Sequence, residues 1–226
     1  MEEFKALLAS LSTYSSLIAI AACLIKFNKL TKRLYALILY CSFSLLTDIL
    51  LEYFPFKKHH GSQFFLLSTF TVIEYILFAY FLFHSLENKL IKNIILIVSV
   101  IFLGYTTYHF FYHSKSSFDS IPASVESLII ISFCVYYFYE QIKIPSVGII
   151  YSTYPFWAIV GMLIYLSGTL FLFLYVASLE NANDFTNWYI NNVLNIIKNI
   201  FFAIAFSMSK KNLSNLKTRI QKPFNI

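Results

Sequence analysis

In the stretch NNVLNIIKNIFF, residues 191–202, a lysine stands inside a long apolar run, with Asn191, Asn195 and Asn199 on the same helical face as Lys198. Four carboxylates, Asp48, Glu52, Glu74 and Glu126, stand in other apolar runs. Ionisable groups at membrane depth are costly, so each is a candidate functional residue. Groups of this kind pair with one another, carry protons, or hold a small polar ligand. Glu52 sits near the end of its run, where solvation alone explains it. A lone ammonium at the bilayer centre costs several kcal/mol. A facing carboxylate offsets much of that, and asparagine amides can satisfy the remaining donors and acceptors. Glu74 is the expected partner of Lys198, directly or through water or Asn195.

A second kind of chemistry is metal binding. His109 and His113 are four residues apart in YHFFYH, a helical spacing that can hold zinc or copper. No third ligand is fixed by the sequence, and interfacial histidines beside an aromatic belt are the plainer reading, so no metal site is expected. His59, His60, Asp119, Glu180 and Asp184 add titratable groups in connecting segments, and histidines near carboxylates can respond to pH. His84 has no partner that the sequence names. Cys23, Cys41 and Cys134 are scattered within apolar runs and read as small hydrophobes rather than as a disulfide framework or a zinc knuckle.

The elements that must position these residues are helices. The 226-residue chain is 58% apolar and only 12% charged, about half the charge of a soluble domain. Continuous apolar runs, rather than alternating ones, predict seven bilayer-spanning helices over about 7–25, 34–53, 64–86, 93–112, 121–139, 156–178 and 188–208. The expected fold is therefore an all-α, integral-membrane seven-helix bundle. Residues 209–226 read as a basic, amphipathic tail, with Leu213, Leu216 and Ile220 at helical spacing. Lys and Arg give the orientation. With the N-terminus outside, twelve of the seventeen fall in cytoplasmic segments and four outside, and Lys198 is the last. The net charge of +6 thus reflects membrane anchoring, and nucleic acid is not an expected partner.

This topology sets depths. Lys198 and Glu74 are each about the eleventh residue of their spans, and both spans run in the same direction, so the two meet near the midplane. Lys198 is roughly 15 Å from the inner surface, too far to snorkel. Asp48 and Glu126 lie roughly 7 Å from the outer ends of their helices at about 1.5 Å per residue. Cys41, Ser44 and Asp48 share one face, with Glu52 a turn further on. Ser68, Thr71, Glu74 and Tyr75 share another, and Asn191, Asn195, Lys198 and Asn199 a third. Three polar stripes must turn inward, which predicts a polar interior open to the outer side. Gly161 and Gly168, seven apart, allow a close helix contact.

Two resemblances add to this. A mid-membrane acid on helix three and a lysine on helix seven, with the N-terminus outside, resemble the layout of microbial rhodopsins. That resemblance implies a rhodopsin-like arrangement, a retinal Schiff base at Lys198 and Glu74 as its counter-ion. Leu194 stands where that family has an acid before the lysine, and Thr71 stands where it has an arginine. The stretches YPFWAIVGMLIYLSGTLFLF (154–173) and NIIKNIFFAIAF (195–206) are similar to a family of small bacterial seven-transmembrane-helix proteins associated with genes for two-component sensor kinases. That likeness carries no activity with it and implies signalling.

The expectation is a non-enzymatic sensor or receptor-like protein of a bacterial inner membrane. Its polar cavity and buried Glu–Lys pair would receive a small ligand or proton, and its inner face a cytoplasmic or membrane signalling partner. Glu74, Lys198, Asn191, Asn195, Asn199, Asp48, Glu126, Tyr75 and Thr71 form the expected site. Retinal binding and proton-coupled transport of a small solute are the alternatives. The transport alternative rests on a three-plus-one-plus-three helix plan, although no repeat between the halves and no Pro-Gln hinge is visible.

Overall fold

The computed structural model describes residues 2–25, 31–53, 60–112, 120–143, 150–177 and 188–220, with side chains described over 3–25, 31–51, 65–112, 121–143, 150–174 and 189–208. Within them are seven α-helices: α1 (Glu2–Leu24), α2 (Lys32–Tyr53), α3 (His60–Ser85), α4 (Lys89–Tyr112), α5 (Ser120–Lys143), α6 (Tyr154–Ala177) and α7 (Trp188–Ile220). A 3-10 turn, Ile150–Ser152, leads into α6. All seven helices are long and apolar enough to cross a membrane, as expected for a multi-pass membrane protein. In such a setting helices form because every backbone N–H and C=O must be satisfied within its own segment.

The helix ends differ from the expected boundaries in two places that matter. Helix α5 runs to Lys143, which brings Glu140 into the helix. Helix α7 continues to Ile220 as one element instead of ending near residue 208. The side chains beyond Met208 lie outside the described ones, as do residues 221–226. Local caps hold the starts of α2 and α4. Thr31 O accepts the Leu34 N–H at 2.9 Å, and Asn88 Oδ1 accepts the Leu90 N–H at 2.9 Å. Trp157 Nε1 ties the start of α6 to Tyr151 O at 2.9 Å.

The contacts define a closed ring of six helices in the order α1, α2, α3, α5, α6, α7, with α4 packed outside on α3. Directions follow from the residue pairs. Phe65 meets Phe110 and Tyr75 meets Ser99, so α3 and α4 are antiparallel. Ser12 meets Asn195 and Ser15 meets Asn199, so α1 and α7 are parallel. One end of the bundle therefore gathers the N-termini of α1, α3, α5 and α7. The other half is a dry core of Leu34, Leu37, Phe78, Phe81, Phe202 and Phe206, all fully buried. The outward face of α4 exposes Leu96, Ile97, Val100, Ile101 and Phe111, which is apolar surface suited to lipid.

Close packing of α6 on α7 depends on glycine. A Cβ at Gly161 would sit 2.8 Å from Phe201 Cβ and 3.4 Å from the Lys198 carbonyl oxygen, and one at Gly168 would sit 2.5 Å from Leu194 Cδ1. Small residues do the same for α1 on α7. Ser12, Ser16, Ala19 and Cys23 form a buried strip along α1, and Ser12 and Ser16 meet the α7 asparagines.

Candidate functional site

Lys198, in the N-terminal half of α7, is 1% exposed. Its ammonium donates a hydrogen bond to the Tyr40 hydroxyl of α2, and that hydroxyl donates to Glu74 Oε1 of α3 at 2.7 Å. The ammonium also lies 3.9 Å from the ring centroid of Tyr165 and 4.6 Å from that of Tyr40. Cation–π attraction from two electron-rich faces supplements the hydrogen bond in this buried position. Glu74 and Lys198 thus reach one another, but through a phenol, not through water or Asn195. Tyr40 can bridge because a hydroxyl accepts from a cation while donating to a carboxylate. Its ring is fixed by Phe78 at 4.5 Å and Phe202 at 5.9 Å between centroids.

The asparagines do other work than expected. Asn195 Nδ2 donates to Ser12 Oγ at 2.9 Å, and Asn199 Nδ2 donates to Ser15 Oγ at 2.7 Å and Ser16 Oγ at 3.2 Å. Both amides clamp α7 to α1, while Lys198 is held by Tyr40 and Tyr165 from other helices. The amide oxygens Asn195 Oδ1 and Asn199 Oδ1 are buried with no hydrogen-bond partner in the protein.

A cavity of about 110 Å³ lies on the N-terminal side of this cluster. Asp48 of α2, Thr71 and Glu74 of α3, Glu126 of α5, Tyr165 of α6, and Asn191 and Asn195 of α7 all line it. The structure thus brings Asp48, Glu74 and Glu126 around one space; Glu126 joins it from α5, a helix on which no polar stripe was expected. Glu126 is 2% exposed, and its Oε1 has no hydrogen-bond partner in the protein. The lining runs from Glu74 at mid-bundle to Asn191 and Asn192 in the first turn of α7.

Tyr75 is not part of this space. Its hydroxyl pairs with Ser99 Oγ on α4 at 3.0 Å and its ring packs on Phe102 at 4.2 Å, so it belongs to the α3–α4 seam. A second cavity of about 220 Å³ lies beside that seam, lined by Thr71, Thr106, His109, Phe110 and Pro122 among others, and it shares Thr71 with the first. His109 is buried there. His113, His59, Asp119, Glu180 and Asp184 lie outside the described residues, as do the side chains of His60 and Glu52. Among the described residues no three His, Cys, Asp or Glu side chains are grouped closely enough to hold a metal ion.

Three features were not singled out in the sequence. Tyr40 continues the Ser44 and Asp48 stripe one turn inward, so its spacing was the available signal. The serine strip of α1 was visible in SLSTYSS but carries no charge to mark it. Glu140, near the C-terminal end of α5, accepts the backbone N–H groups of Glu87 at 3.0 Å and Asn88 at 2.8 Å. It places a carboxylate on the positive N-terminal end of α4 and so staples α4 to α5.

Retinal held at Lys198 does not fit this arrangement. Cofactor sites occupy about 300–1,000 Å³. The cavity here is about 110 Å³, Lys198 is not part of its lining, and the ammonium is packed between Tyr40 and Tyr165. No protein-family model matches the chain, and no curated protein or solved structure is significantly similar to it.

Proposed function

We propose that the chain is a non-enzymatic, receptor-like sensor of a bacterial inner membrane, with its N-terminus outside and its C-terminus in the cytoplasm. A small ligand enters the polar cavity from outside and acts on Glu74. The Tyr40 bridge passes the change to the aromatic half of the bundle, and a signalling partner reads it at the cytoplasmic face. The distribution of Lys and Arg supports this orientation.

The observation that carries the reading is the Tyr40 hydroxyl. It joins a cavity-lining carboxylate to a buried ammonium, and its ring is wedged among Phe78 and Phe202. A ligand that takes Glu74 Oε1 from Tyr40 leaves Tyr40 and Lys198 to find a second arrangement. Such a two-position element is what a switch requires.

Transcript profiles of the source bacterium test this. Cells carrying Lys198→Met are expected to share the profile of a deletion strain while the variant accumulates in the membrane at parental levels. A parental profile in Lys198→Met cells would sink the sensor reading. Proton-coupled transport is the second reading, favoured by the same ionisable chain at mid-depth. It requires solute-driven proton flux in liposomes that Glu74→Gln abolishes, whereas a sensor gives no flux above empty liposomes.

A further inference from the structure

We propose that the cavity between Asp48, Glu74 and Glu126 is a binding site for a small organic ammonium ion. The inference rests on the sensor reading above and supplies its ligand class. Three carboxyl groups line the space, and the single ammonium nearby is already held by Tyr40 and Tyr165. The buried polar atoms left without a protein partner along the lining are acceptors: Glu126 Oε1, from a side chain 2% exposed, and Asn195 Oδ1, from one 7% exposed. One N–H of the Asn195 amide is held by Ser12. Buried acceptors left unmet favour a ligand that donates, and favour it more strongly if the ligand is positive.

Size and spacing narrow the class. A volume of about 110 Å³ equals the share of roughly four waters, which suits a ligand of a few heavy atoms. The carboxylates are not grouped tightly enough to chelate a metal ion among the described residues. An alkylammonium spreads its N–H donors over a wider arc, and its carbon stem can lie against Phe70, Leu166 and Phe173 in the same lining. The ligand's N–H groups would reach Glu126 and Asn195, and a donor directed at Glu74 would compete with Tyr40.

The test uses the full chain in lipid nanodiscs, titrated calorimetrically at constant ionic strength. The probes are methylammonium and ethanolamine, with ethylene glycol and acetamide as neutral counterparts and sodium, potassium and calcium as inorganic ones. Saturable binding of the ammonium probes alone is expected, weakened about tenfold or more by Glu126→Gln and unchanged by Val100→Ala on the lipid-facing side of α4. Binding of neutral or inorganic probes at equal strength would overturn the proposal, as would no binding of either ammonium. So would parental affinity in a folded Glu126→Gln chain. The probe series on the parent decides the matter even where that variant fails to fold. Ammonium binding that leaves hydrogen exchange in α7 unchanged would uphold this site and refute the sensor reading. A transcript response without ammonium binding would do the reverse.

Discussion

Tyr40 determines how two opposite charges share the interior. A direct contact would leave the remaining donors of Lys198 and acceptors of Glu74 to the surroundings. The phenol meets both and adds a π-face. Tyr40→Phe keeps the ring and its packing but deletes the bridge. Thermal unfolding in detergent is expected to show a loss of about 1–3 kcal/mol, the penalty for stranding buried polar groups. Lys198→Met leaves a buried carboxylate without its counter-charge, and Glu74→Gln does the converse. Each is expected to cost about 3 kcal/mol or more, and the double variant clearly less than the sum. Simple additivity would show that the two residues do not communicate. Lys198 and Glu74 were legible in the sequence because a charge in an apolar run is rare and depth follows from counting residues. Tyr40 was not, because it is one tyrosine among seventeen and a phenol in a membrane helix draws no notice.

Helix seams depend on steric and polar matches of different kinds. Gly161 and Gly168 were readable as a close-packing pair, and α7 lies against both. Their sensitivities differ. An added methyl at Gly161 meets Phe201 Cβ and a backbone oxygen, which cannot swing aside, whereas at Gly168 it meets the movable end of Leu194. Gly161→Ala is expected to destabilise by about 1–3 kcal/mol, Gly168→Ala by less. Gly104→Ala is expected to be neutral or stabilising, since a methyl there would have nothing within 4 Å and alanine is the better helix former. Differential scanning calorimetry of the three variants checks the order. The α1–α7 seam was less readable. Asparagines beside a lysine suggest service to that lysine, but each hydrogen-bonds to serine on α1 instead. Periodicity gives the face of a helix, not the neighbour that face will meet. Glu140 escaped notice for a related reason: its role depends on where the N-terminus of α4 lands, which is a tertiary fact.

At the scale of the molecule, the seven helices among the described residues followed from apolar runs alone, because each run is long enough to cross a membrane. The order of helices around the ring did not follow, since short connections fix only sequential neighbours. The proposed orientation is open to direct measurement. Cys23, Cys41 and Cys134 are buried and give little background. A cysteine at Lys5 is expected to react with an impermeant maleimide on intact spheroplasts, and one at Ser214 only after the membrane is opened. The reverse pattern would invert the proposed topology.

The position of α4 outside the ring has a consequence for the chain as a whole. Successive antiparallel helices alternate in direction, so two ring neighbours that point the same way need a spare helix between them. Helix α4 is that spare helix. It delivers α5 beside α3 in the same direction, just as α7 lies beside α1. Without it the chain reads as two three-helix units of like orientation joined into one ring. Glu74 then belongs to the last helix of the first unit, and Lys198 to the last helix of the second. The acid and the base hold equivalent seats in the two halves, with Tyr40 the join between them.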